Sequence, residues 1–384
     1  MIYSEVDGDP ITTAKTLNDD LEQINLWSHK WIVDFSAKKT KTITFSNKRI
    51  KVNHPNLYLN NVKIKETDNH KHLGLILSQN GKWQDHLEYI TEKAHKRLYI
   101  LSNLRFNLDR NTLQTLYFSY VRPILEYGNV VWCNLNETQS NDLEQLQLKA
   151  ARIVTGAVLR TRHDAINKEL EWETLARRRE NHKLFLLHKM VNKESPAYLS
   201  NLINIETNNH YNTRNRDNTT HITPIFAHTN LFYNSFVASS IRNWNNLKEN
   251  EKSQSLHLFK NIFKQKPNVP EYFNYGSRSG QINIARLRMK CSNLNHHLCL
   301  RYLSDSAKCE CGHDTEDIKH FLFECQEYRN IRNNTLSKLP YLLTVNICLH
   351  GDPKLSPSAN KEICNTVISF INKTKRFIRK DDLE

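Results

Sequence analysis

The stretch Cys309-Glu-Cys-Gly-His-Asp-Thr-Glu-Asp-Ile-Lys-His-Phe-Leu-Phe-Glu-Cys325 decides how the C-terminal part of this chain folds. It spaces three thiols and one imidazole as C-x-C-x8-H-x4-C, with Cys311 and His320 as the inner pair. Zn2+ binds such ligands as a tetrahedron, and a short turn followed by a helix commonly presents them. The spacing therefore predicts a Cys3His zinc knuckle, in which Gly312 helps the turn to close.

Other interpretations of this stretch stay open. His313 could compete with His320 as the nitrogen ligand, and the thiols could be reduced, partly buried side chains without a metal. A disulfide is disfavoured because Cys309 and Cys311 are too close to pair well. Eight cysteines scattered over 384 residues, with nothing that marks secretion, fit a reducing compartment.

Length and charge limit the classes of function. A chain of 384 residues is long enough for two or three domains, each with its own core. Its 54 Lys and Arg residues exceed its 40 Asp and Glu residues and give a net charge of +14, which predicts salt-sensitive binding to nucleic acid. The sequence shows neither an apolar run of about eighteen residues nor a secretory signal. We therefore expect a soluble intracellular protein, in the nucleus or the cytoplasm, with no membrane partner.

The first 82 residues combine one helix with strands, which is typical of the α+β class. Apolar residues recur at helical spacing from Leu17 to Trp27, and this predicts an amphipathic helix that ends near Trp31. Alternation predicts strands at residues 41–45, 57–59, 62–64 and 73–77. Asn60-Asn61 is a pair that commonly closes a hairpin, here between the middle two strands.

From Trp83 the pattern becomes helical. Apolar residues follow a helical period up to Leu101, and further helices are predicted up to Arg122-Pro123, up to Gly156, and from Trp172 to about Val191. The proline should end its helix, and the glycine should cap its own. The segment Arg122–Tyr127 is then expected to form a turn in which Arg122 pairs with Glu126.

Residues 204–230 are rich in Asn, Thr and His, which predicts a long loop or linker. The apolar stretches 232–244 and 256–263 should fold back on a core, and residues 275–280 should form a flexible joint. The predicted domains are therefore residues 1–82, 83–204, 205–280 and 281–384.

Short motifs occur in a fixed order along nearly the whole chain: Trp27-Ser-His-Lys-Trp31, Lys38-Lys-Thr40, His72-Leu-Gly74, Val121-Arg-Pro-Ile-Leu-Glu-Tyr-Gly128, Ala151-Arg-Ile-Val-Thr-Gly156, Asn243-Trp-Asn-Asn-Leu247 and the Cys3His stretch. Together they resemble the distal half of the reverse transcriptase of non-LTR retrotransposons, particularly jockey-like elements. The resemblance implies the end of a polymerase palm (a helix plus antiparallel strands) in residues 1–82. It implies a helical thumb with connecting helices in residues 83–204. A linker and connecting region follow in residues 205–280, and then a mainly helical C-terminal region with the zinc knuckle.

The resemblance also implies that the catalytic metal site lies outside this sequence. Family members hold two Mg2+ ions through palm aspartates, including an Asp-Asp hairpin just before the stretch that resembles residues 2–6. The chain lacks that hairpin, so we expect a C-terminal fragment of an RNA-directed DNA polymerase that is inactive alone and uses Mg2+ only in the intact enzyme. Asp19-Asp20 are interpreted as the solvated face of the first helix.

Lys39 corresponds by resemblance to an accessory catalytic lysine that assists the departing pyrophosphate. Ser36 stands where the family usually has Asn, and an ordinary exposed lysine is the other interpretation. His72, Leu73 and Gly74 correspond to the primer grip, with Leu73 as a packing residue. The alternative for them is a buried strand with a bulge glycine.

The resemblance assigns backbone contacts with template and primer to four thumb residues, Lys93, Lys96, Arg97 and Arg105. They could also form only a solvated face, and the same two interpretations apply to Arg177-Arg178-Arg179. Aromatic residues at helical spacing are predicted to be core rather than base-stacking platforms, namely Trp83, Tyr117, Tyr120, Tyr127 and Trp132. The knuckle has neighbours suited to RNA, namely Lys308, Lys319, Phe321, Tyr328, Arg329 and Arg332, and a purely structural zinc staple is the alternative.

These patterns support three hypotheses of function. In the first, the chain is the C-terminal part of a reverse transcriptase and binds an RNA template and a DNA primer, with Zn2+ in its knuckle. In the second, it is a non-catalytic nucleic-acid-binding zinc-knuckle protein from a decayed or domesticated element. In the third, it is a zinc-stapled scaffold for other proteins.

Overall fold

The computed structural model describes residues 2–5, 9–46, 54–205, 221–247 and 269–377. The chain divides into two compact units, residues 1–90 and 91–384. The predicted apolar stretch 256–263 and residues 206–220 of the predicted linker lie outside the described residues, and the division into four domains stays a prediction. No helix in the described ranges is long and apolar enough to cross a membrane.

The first unit begins with the helix Pro10–Trp31, as the sequence predicts. The carboxylate of Asp9 caps it by accepting the backbone N–H groups of Ile11 and Thr12 at 3.0 and 3.1 Å. Proline at the first helical position needs no hydrogen-bond partner for its nitrogen. The helix stops at Ile32, which adopts the left-handed conformation with φ 55°, and Asp19 and Asp20 lie on its exposed face.

Short strands follow this helix, and their pairing fits the predicted α+β class. The strand Lys41–Thr42 pairs in parallel with Lys65–Glu66. Two antiparallel hairpins pair Tyr58–Leu59 with Val62–Lys63 and Asn69–His72 with Leu75–Ser78. Asn60 and Asn61 have φ 53° and 58°, so the predicted Asn-Asn turn is confirmed.

Two strand predictions need correction. The predicted strand 41–45 is only two residues long. The predicted strand 73–77 is instead the second arm of a hairpin, because Leu73 and Gly74 form its turn with φ 46° and 86°. A positive φ at two successive residues is what a tight hairpin turn requires, and it is incompatible with a strand at those positions.

The described part of the second unit is helical, apart from an isolated bridge between Ile205 and Ile222. The helix Gln84–Leu104 contains the boundary between the units. Further α-helices are Arg110–Leu116, Arg122–Glu126, Glu137–Thr155, His163–Leu170, Leu175–Val191, Ala197–Ser200, Asn230–Tyr233, Phe236–Asn245, Arg278–Arg288, Asn295–Cys299, Arg329–Asn333, Val345–His350 and Pro357–Thr374. Two 3-10 turns are Glu271–Asn274 and Leu336–Lys338, and two π-helical turns are Tyr117–Val121 and His320–Glu324.

The prediction that Pro123 ends its helix is wrong. The π-helical turn Tyr117–Val121 widens the helix, and the backbone N–H of Arg122 bonds to the carbonyl of Tyr117. A widened turn relieves the clash that a proline ring makes with the preceding turn, so the chain stays helical to Glu126. The predicted pairing of Arg122 with Glu126 is confirmed at 3.6 Å, but across one helical turn.

The helix Glu137–Thr155 ends at Gly156, as the sequence predicts, and its start was not predicted. Asn136 and Gln139 form a reciprocal capping box at its start. Gly156 ends it with φ 71°, and a Cβ there would lie 2.7 Å from the side chain of Ile282. Glycine is therefore required for its backbone conformation and for close packing.

The predicted aromatic core is only partly correct. Tyr117 and Trp132 are fully buried, whereas Tyr120 and Tyr127 are 39% and 57% exposed. Trp83 lies just before its helix and is half-buried. Tyr120 lies in the π-helical turn and Tyr127 just after the helix Arg122–Glu126. At these positions a regular helical period no longer predicts which side chains face the core.

The last 109 described residues share one apolar core around the helix Pro357–Thr374. Its inward residues Ile363, Val367 and Phe370 are completely buried. Residues 275–280 are not the predicted flexible joint, because Ser277 caps the helix Arg278–Arg288 and Gly280 is buried. The side chain of Ile368 leaves no room for a Cβ at Gly276 or Gly280.

Candidate metal centre and nucleic-acid contacts

The turn that begins at Cys309 is closed by two backbone hydrogen bonds. The N–H of Cys309 donates to the carbonyl of His313 at 2.9 Å, and the N–H of Gly312 donates to the carbonyl of Cys309 at 3.0 Å. Gly312 has φ 91°, a conformation that residues with a Cβ rarely adopt. This conformation brings the thiols of Cys309 and Cys311 to the same end of the turn.

The second pair of ligands is carried by the π-helical turn His320–Glu324. The carboxylate of Asp317 accepts the N–H of His320 at 2.7 Å, and the N–H of Cys325 donates to the carbonyl of His320 at 2.8 Å. This hydrogen bond joins residues five positions apart, and the side chains of His320 and Cys325 both lie close to the thiols of the turn at Cys309. Phe321 anchors the segment because it is fully buried in the C-terminal core.

The four predicted ligand atoms lie together. The donor atoms of Cys309, Cys311, His320 and Cys325 are all within 4.8 Å of one another. The sulfurs of Cys309 and Cys325 are 3.8 Å apart, and the sulfur of Cys311 is 3.3 Å from His320 Nε2. A tetrahedral Zn2+ with Zn–S bonds of about 2.3 Å separates its sulfurs by about 3.8 Å. The donor set therefore fits a four-coordinate metal ion, and these cysteines are free thiols rather than a disulfide.

Burial governs the protonation of most of these ligands. It raises the pKa of the Cys309 thiol to about 12 and also raises the pKa of Cys325, because a thiolate is poorly solvated there. The backbone N–H of His313 lowers the pKa of Cys311. Burial lowers the pKa of His320 and keeps its imidazole neutral. Binding of a metal ion to this cluster would therefore release thiol protons.

The structure distinguishes the two candidate histidines. His320 is almost fully buried beside the three thiols, whereas His313 is exposed and stacks on the His320 ring at a centroid distance of 4.2 Å. His313 and Glu324 form a second close group with His320. His320, not His313, therefore lies with the three thiols in the group that could hold a metal ion.

Glu316 and Arg376 fasten the knuckle to the end of the last helix, and sequence reasoning missed both. The guanidinium of Arg376 donates to both carboxylate oxygens of Glu316 at 2.7 and 2.6 Å. The same carboxylate accepts the N–H of Asn295 at 2.7 Å. No signal in the sequence could have revealed a pair that is separated by sixty residues.

Three of the six side chains predicted to give the knuckle its RNA-binding neighbours, Phe321, Tyr328 and Arg332, serve the fold instead. Arg332 donates to the carbonyls of Leu322 and Cys325 at 2.8 Å each. Phe321 is core, Tyr328 packs against it, and Lys319 pairs with Glu324 at 2.5 Å. Lys308, Lys319 and Arg329 are exposed.

Lys39 and the segment His72–Gly74 lie in the first unit. Lys39 is exposed on a turn in which its backbone N–H donates to the carbonyl of Ser36 at 3.0 Å. His72–Gly74 forms the tip of a hairpin, and Leu73 is 77% exposed. The alternative of a buried strand with a bulge glycine is wrong, and so is the assignment of Leu73 to packing. Their roles at a primer stay predictions.

The four predicted thumb contacts differ in their surroundings. Lys93, Lys96 and Arg105 are exposed, and Lys96 pairs with Glu92 at 2.6 Å. Arg97 is half-buried, donates to the carbonyl of Tyr120 and stacks over the Tyr120 ring at 4.1 Å. Arg97 therefore joins two helices, whereas the other three can reach a phosphate.

Both interpretations of Arg177-Arg178-Arg179 are wrong for two of the three residues. Arg178 and Arg179 are buried. Arg178 forms an ion pair with Glu126, and Arg179 donates to the hydroxyl of Ser140 at 2.6 Å. Helical geometry turns successive residues to different sides, so a run of three arginines is not one surface patch.

A second buried ionic cluster joins distant parts of the second unit. Glu169 accepts hydrogen bonds from Arg110 and Arg288, each with a shortest distance of 2.5 Å, and all three side chains are at most 4% exposed. Arg288 also lies over the ring of Phe273 at 3.5 Å. The sequence contains no hint of this cluster because its members are 59 and 119 residues apart.

Comparison with known proteins confirms the predicted resemblance to reverse transcriptases of jockey-like elements. The chain is similar to a probable RNA-directed DNA polymerase from transposon X-element of Drosophila melanogaster, with 22% identity over 165 residues, 42% of this chain and 18% of that protein. It is 25% identical over 168 residues to a probable RNA-directed DNA polymerase from transposon BS of the same species, covering 42% of this chain and 18% of that protein. It is 26% identical over 174 residues to the RNA-directed DNA polymerase from mobile element jockey, covering 44% of this chain and 19% of that protein.

The matched segments thus span less than a fifth of the length of these relatives. No protein-family model matches the chain. No solved structure matches it either.

Proposed function

We propose that this chain is the C-terminal part of the reverse transcriptase of a jockey-like element and that it holds the RNA template and the DNA primer. The observation that carries the proposal is the similarity to several proteins named RNA-directed DNA polymerases. The aspartates that bind Mg2+ would belong to a part of the polymerase outside this sequence, so the chain alone would not extend a primer.

The Cys3His cluster would bind one structural Zn2+. Four protein ligands close the coordination sphere and leave no position for substrate, which is typical of a structural site. The ion would connect the turn at Cys309 to the segment that carries Phe321 into the C-terminal core. It would thereby fix the orientation of this region.

Contacts with nucleic acid would be made mainly through phosphates. Lys93, Lys96 and Arg105 are exposed on or just after the helix Gln84–Leu104, and the overall charge of +14 attracts a polyanion. In the first unit, the hairpin tip His72–Gly74 would support the primer end, and Lys39 would lie near the departing pyrophosphate of the intact polymerase. These roles come from the family resemblance.

The experiment uses the purified chain with a labelled RNA–DNA primer–template. We expect binding that weakens steeply as salt increases, and no primer extension with Mg2+ and deoxynucleotides. Extension by the chain alone would refute the assignment as a non-catalytic part. Failure to bind at low salt would refute the nucleic-acid role and favour a protein scaffold.

A non-catalytic nucleic-acid-binding protein from a decayed or domesticated element is the second candidate. The closed ligand set of the knuckle is compatible with it, because a structural metal site can form without polymerase activity. Sequencing the transcript upstream of the codon for Met1 separates the two candidates. An in-frame Asp-Asp hairpin with a palm before it supports the polymerase, whereas stop codons support the second candidate.

A further inference from the structure

A shallow, open groove whose lining residues are mostly polar runs along the outer side of the helix Pro357–Thr374. It consists of two adjoining cavities of about 510 and 630 Å³, which share Asn365, Ser369 and Lys373 in their walls. Ser277 lines one cavity, and Lys338 and Lys361 line the other. The groove contains none of the knuckle ligands and none of the residues that the family resemblance assigned to nucleic acid.

The sequence of the helix explains why this side is polar. Ile363, Val367 and Phe370 face the core, whereas Lys361, Asn365, Ser369 and Lys373 recur every four residues on the groove side. Lys361 and Lys373 are twelve residues apart, which corresponds to about 18 Å along a helix with a rise of about 1.5 Å per residue. The groove is therefore long enough for a few nucleotides of an extended strand.

The groove has an excess of positive charge. Its three lysines, Lys338, Lys361 and Lys373, form no ion pair with a carboxylate among the residues that the structure describes. Glu362 is its one carboxylate in the described lining, and it accepts a hydrogen bond from the hydroxyl of Tyr341 at 3.3 Å. Ammonium groups without carboxylate partners favour an anionic occupant.

We propose that this groove binds the sugar–phosphate backbone of a nucleic-acid strand, an inference that rests on the proposed function and adds a second contact region to it. Ammonium, amide and hydroxyl donors that alternate along one helix are the groups that proteins use for phosphate contacts. The described lining has no aromatic ring on which a base could stack, so binding is independent of base sequence. A membrane surface fits less well because Leu339 and Ile368, the lining's apolar side chains, are half-buried or buried.

The test compares two triple variants of the full chain. K338Q/K361Q/K373Q removes three charges from the groove, and K149Q/K168Q/K193Q removes three from exposed positions of the same unit outside the groove. We expect the groove variant to bind a labelled oligouridine roughly tenfold more weakly than the unmodified chain. The slope of log K against log salt should become shallower by about 2, because each lost phosphate contact with a single strand reduces it by about 0.7. The control should change affinity less than about twofold, and an oligoadenosine should give the same ratios.

The outcomes separate this proposal from the function on which it rests. If the unmodified chain binds no oligonucleotide, the proposed function and the groove both fail. If it binds and the two variants bind equally well, only the groove is refuted. A groove variant that loses binding to vesicles of phosphatidylserine and phosphatidylcholine but keeps its affinity for RNA also refutes it. K338R/K361R/K373R keeps the charges, and the proposal requires it to bind like the unmodified chain with an unchanged thermal midpoint.

Discussion

The two units of this protein are stabilised in different ways. In the described part of residues 1–90, six apolar side chains are buried, three of which form one cluster, Leu21, Leu59 and Ile64. Large side chains such as Trp31 and Phe45 are 60% exposed. The second unit contains a cluster of sixteen buried residues around its last helix. It also contains buried ion pairs and the Cys3His cluster. A small unit with so little buried apolar surface gains little stability from its core.

The difference shows where interactions between neighbouring residues specify the structure and where contacts between distant residues are needed. The hairpins of the first unit are specified by turn pairs, Asn60-Asn61 and Leu73-Gly74, between neighbouring strands. In the second unit, the important contacts join residues that are far apart in sequence, such as Glu169 and Arg288. We therefore expect hydrogen exchange to be fast in the first unit and slow around the last helix, and the following changes test that contrast.

The largest effect is expected for Cys325→Ser. It removes one of the four proposed metal ligands, and structural zinc contributes on the order of 10 kcal/mol in small zinc-binding peptides. The variant should lose its bound zinc, from about one ion per chain to none, and residues 309–333 should lose protection in hydrogen exchange. Zinc content by mass spectrometry of the native protein and exchange of the full chain measure both effects.

Cys348→Ser is the matched control for that change. Cys348 is equally buried in the same C-terminal core but is not part of the metal-ligand cluster. It should keep the zinc and lose only about 1–3 kcal/mol of stability from a buried hydroxyl. Equal zinc content and equal protection in both variants would show that Cys325 is not a metal ligand.

The next largest effect is expected for Glu169→Gln. The change leaves the guanidinium groups of Arg110 and Arg288 buried without an anion, and breaking such a buried pair costs about 3–5 kcal/mol. Denaturant unfolding measures this loss. Glu171→Gln, at an exposed position two residues away, should change stability by less than about 0.5 kcal/mol. Comparable losses in the two variants would contradict a structural role for the cluster.

The pH dependence provides an independent check of the same cluster. Burial alone would raise the pKa of Glu169, but the guanidiniums of Arg288 and Arg110 outweigh it and hold the pKa below its ordinary value of 4.5. A carboxylate whose pKa is lower in the folded state than in the unfolded state stabilises the fold at every pH above its unfolded-state pKa. This contribution disappears as the pH falls through the folded-state pKa. The parent protein should therefore lose stability on acidification below about pH 4.5, and Glu169→Gln should flatten that part of the curve.

The smallest effects are expected for two glycine replacements, one in each unit. Gly74→Ala and Gly312→Ala each place a Cβ at a left-handed position, with φ 86° and 91°, at a cost of about 1 kcal/mol. In the first unit, which has little core, Gly74→Ala should increase exchange throughout the hairpin Asn69–Ser78. In the knuckle with zinc bound, Gly312→Ala should leave exchange of the surrounding core unchanged. If both variants increase hydrogen exchange over equally large regions, the proposed contrast between the units is wrong.

Part of this structure follows from short-range patterns that are visible in the sequence. The limits of the helices Pro10–Trp31 and Glu137–Thr155 follow from caps and apolar period, and the Asn60-Asn61 turn follows from residue type. The spacing of the knuckle cysteines also indicated which side chains meet, because a turn and a helix bring near neighbours together over short distances. Such features depend on residues within a few positions of one another, so one sequence suffices to infer them.

Tertiary structure alone decided which charges are buried, and it decided between the two histidines near the thiols. Arg178, Arg179 and Arg110 look like surface residues in the sequence, but partners from distant helices allow them to be buried. A charge is tolerated in a protein interior only where an opposite charge or a hydrogen-bond acceptor meets it. That meeting depends on how helices pack, and not on the residue's own neighbours. Spacing favoured His320 and left His313 as an alternative, and the burial of His320 beside the thiols with His313 exposed decided between them.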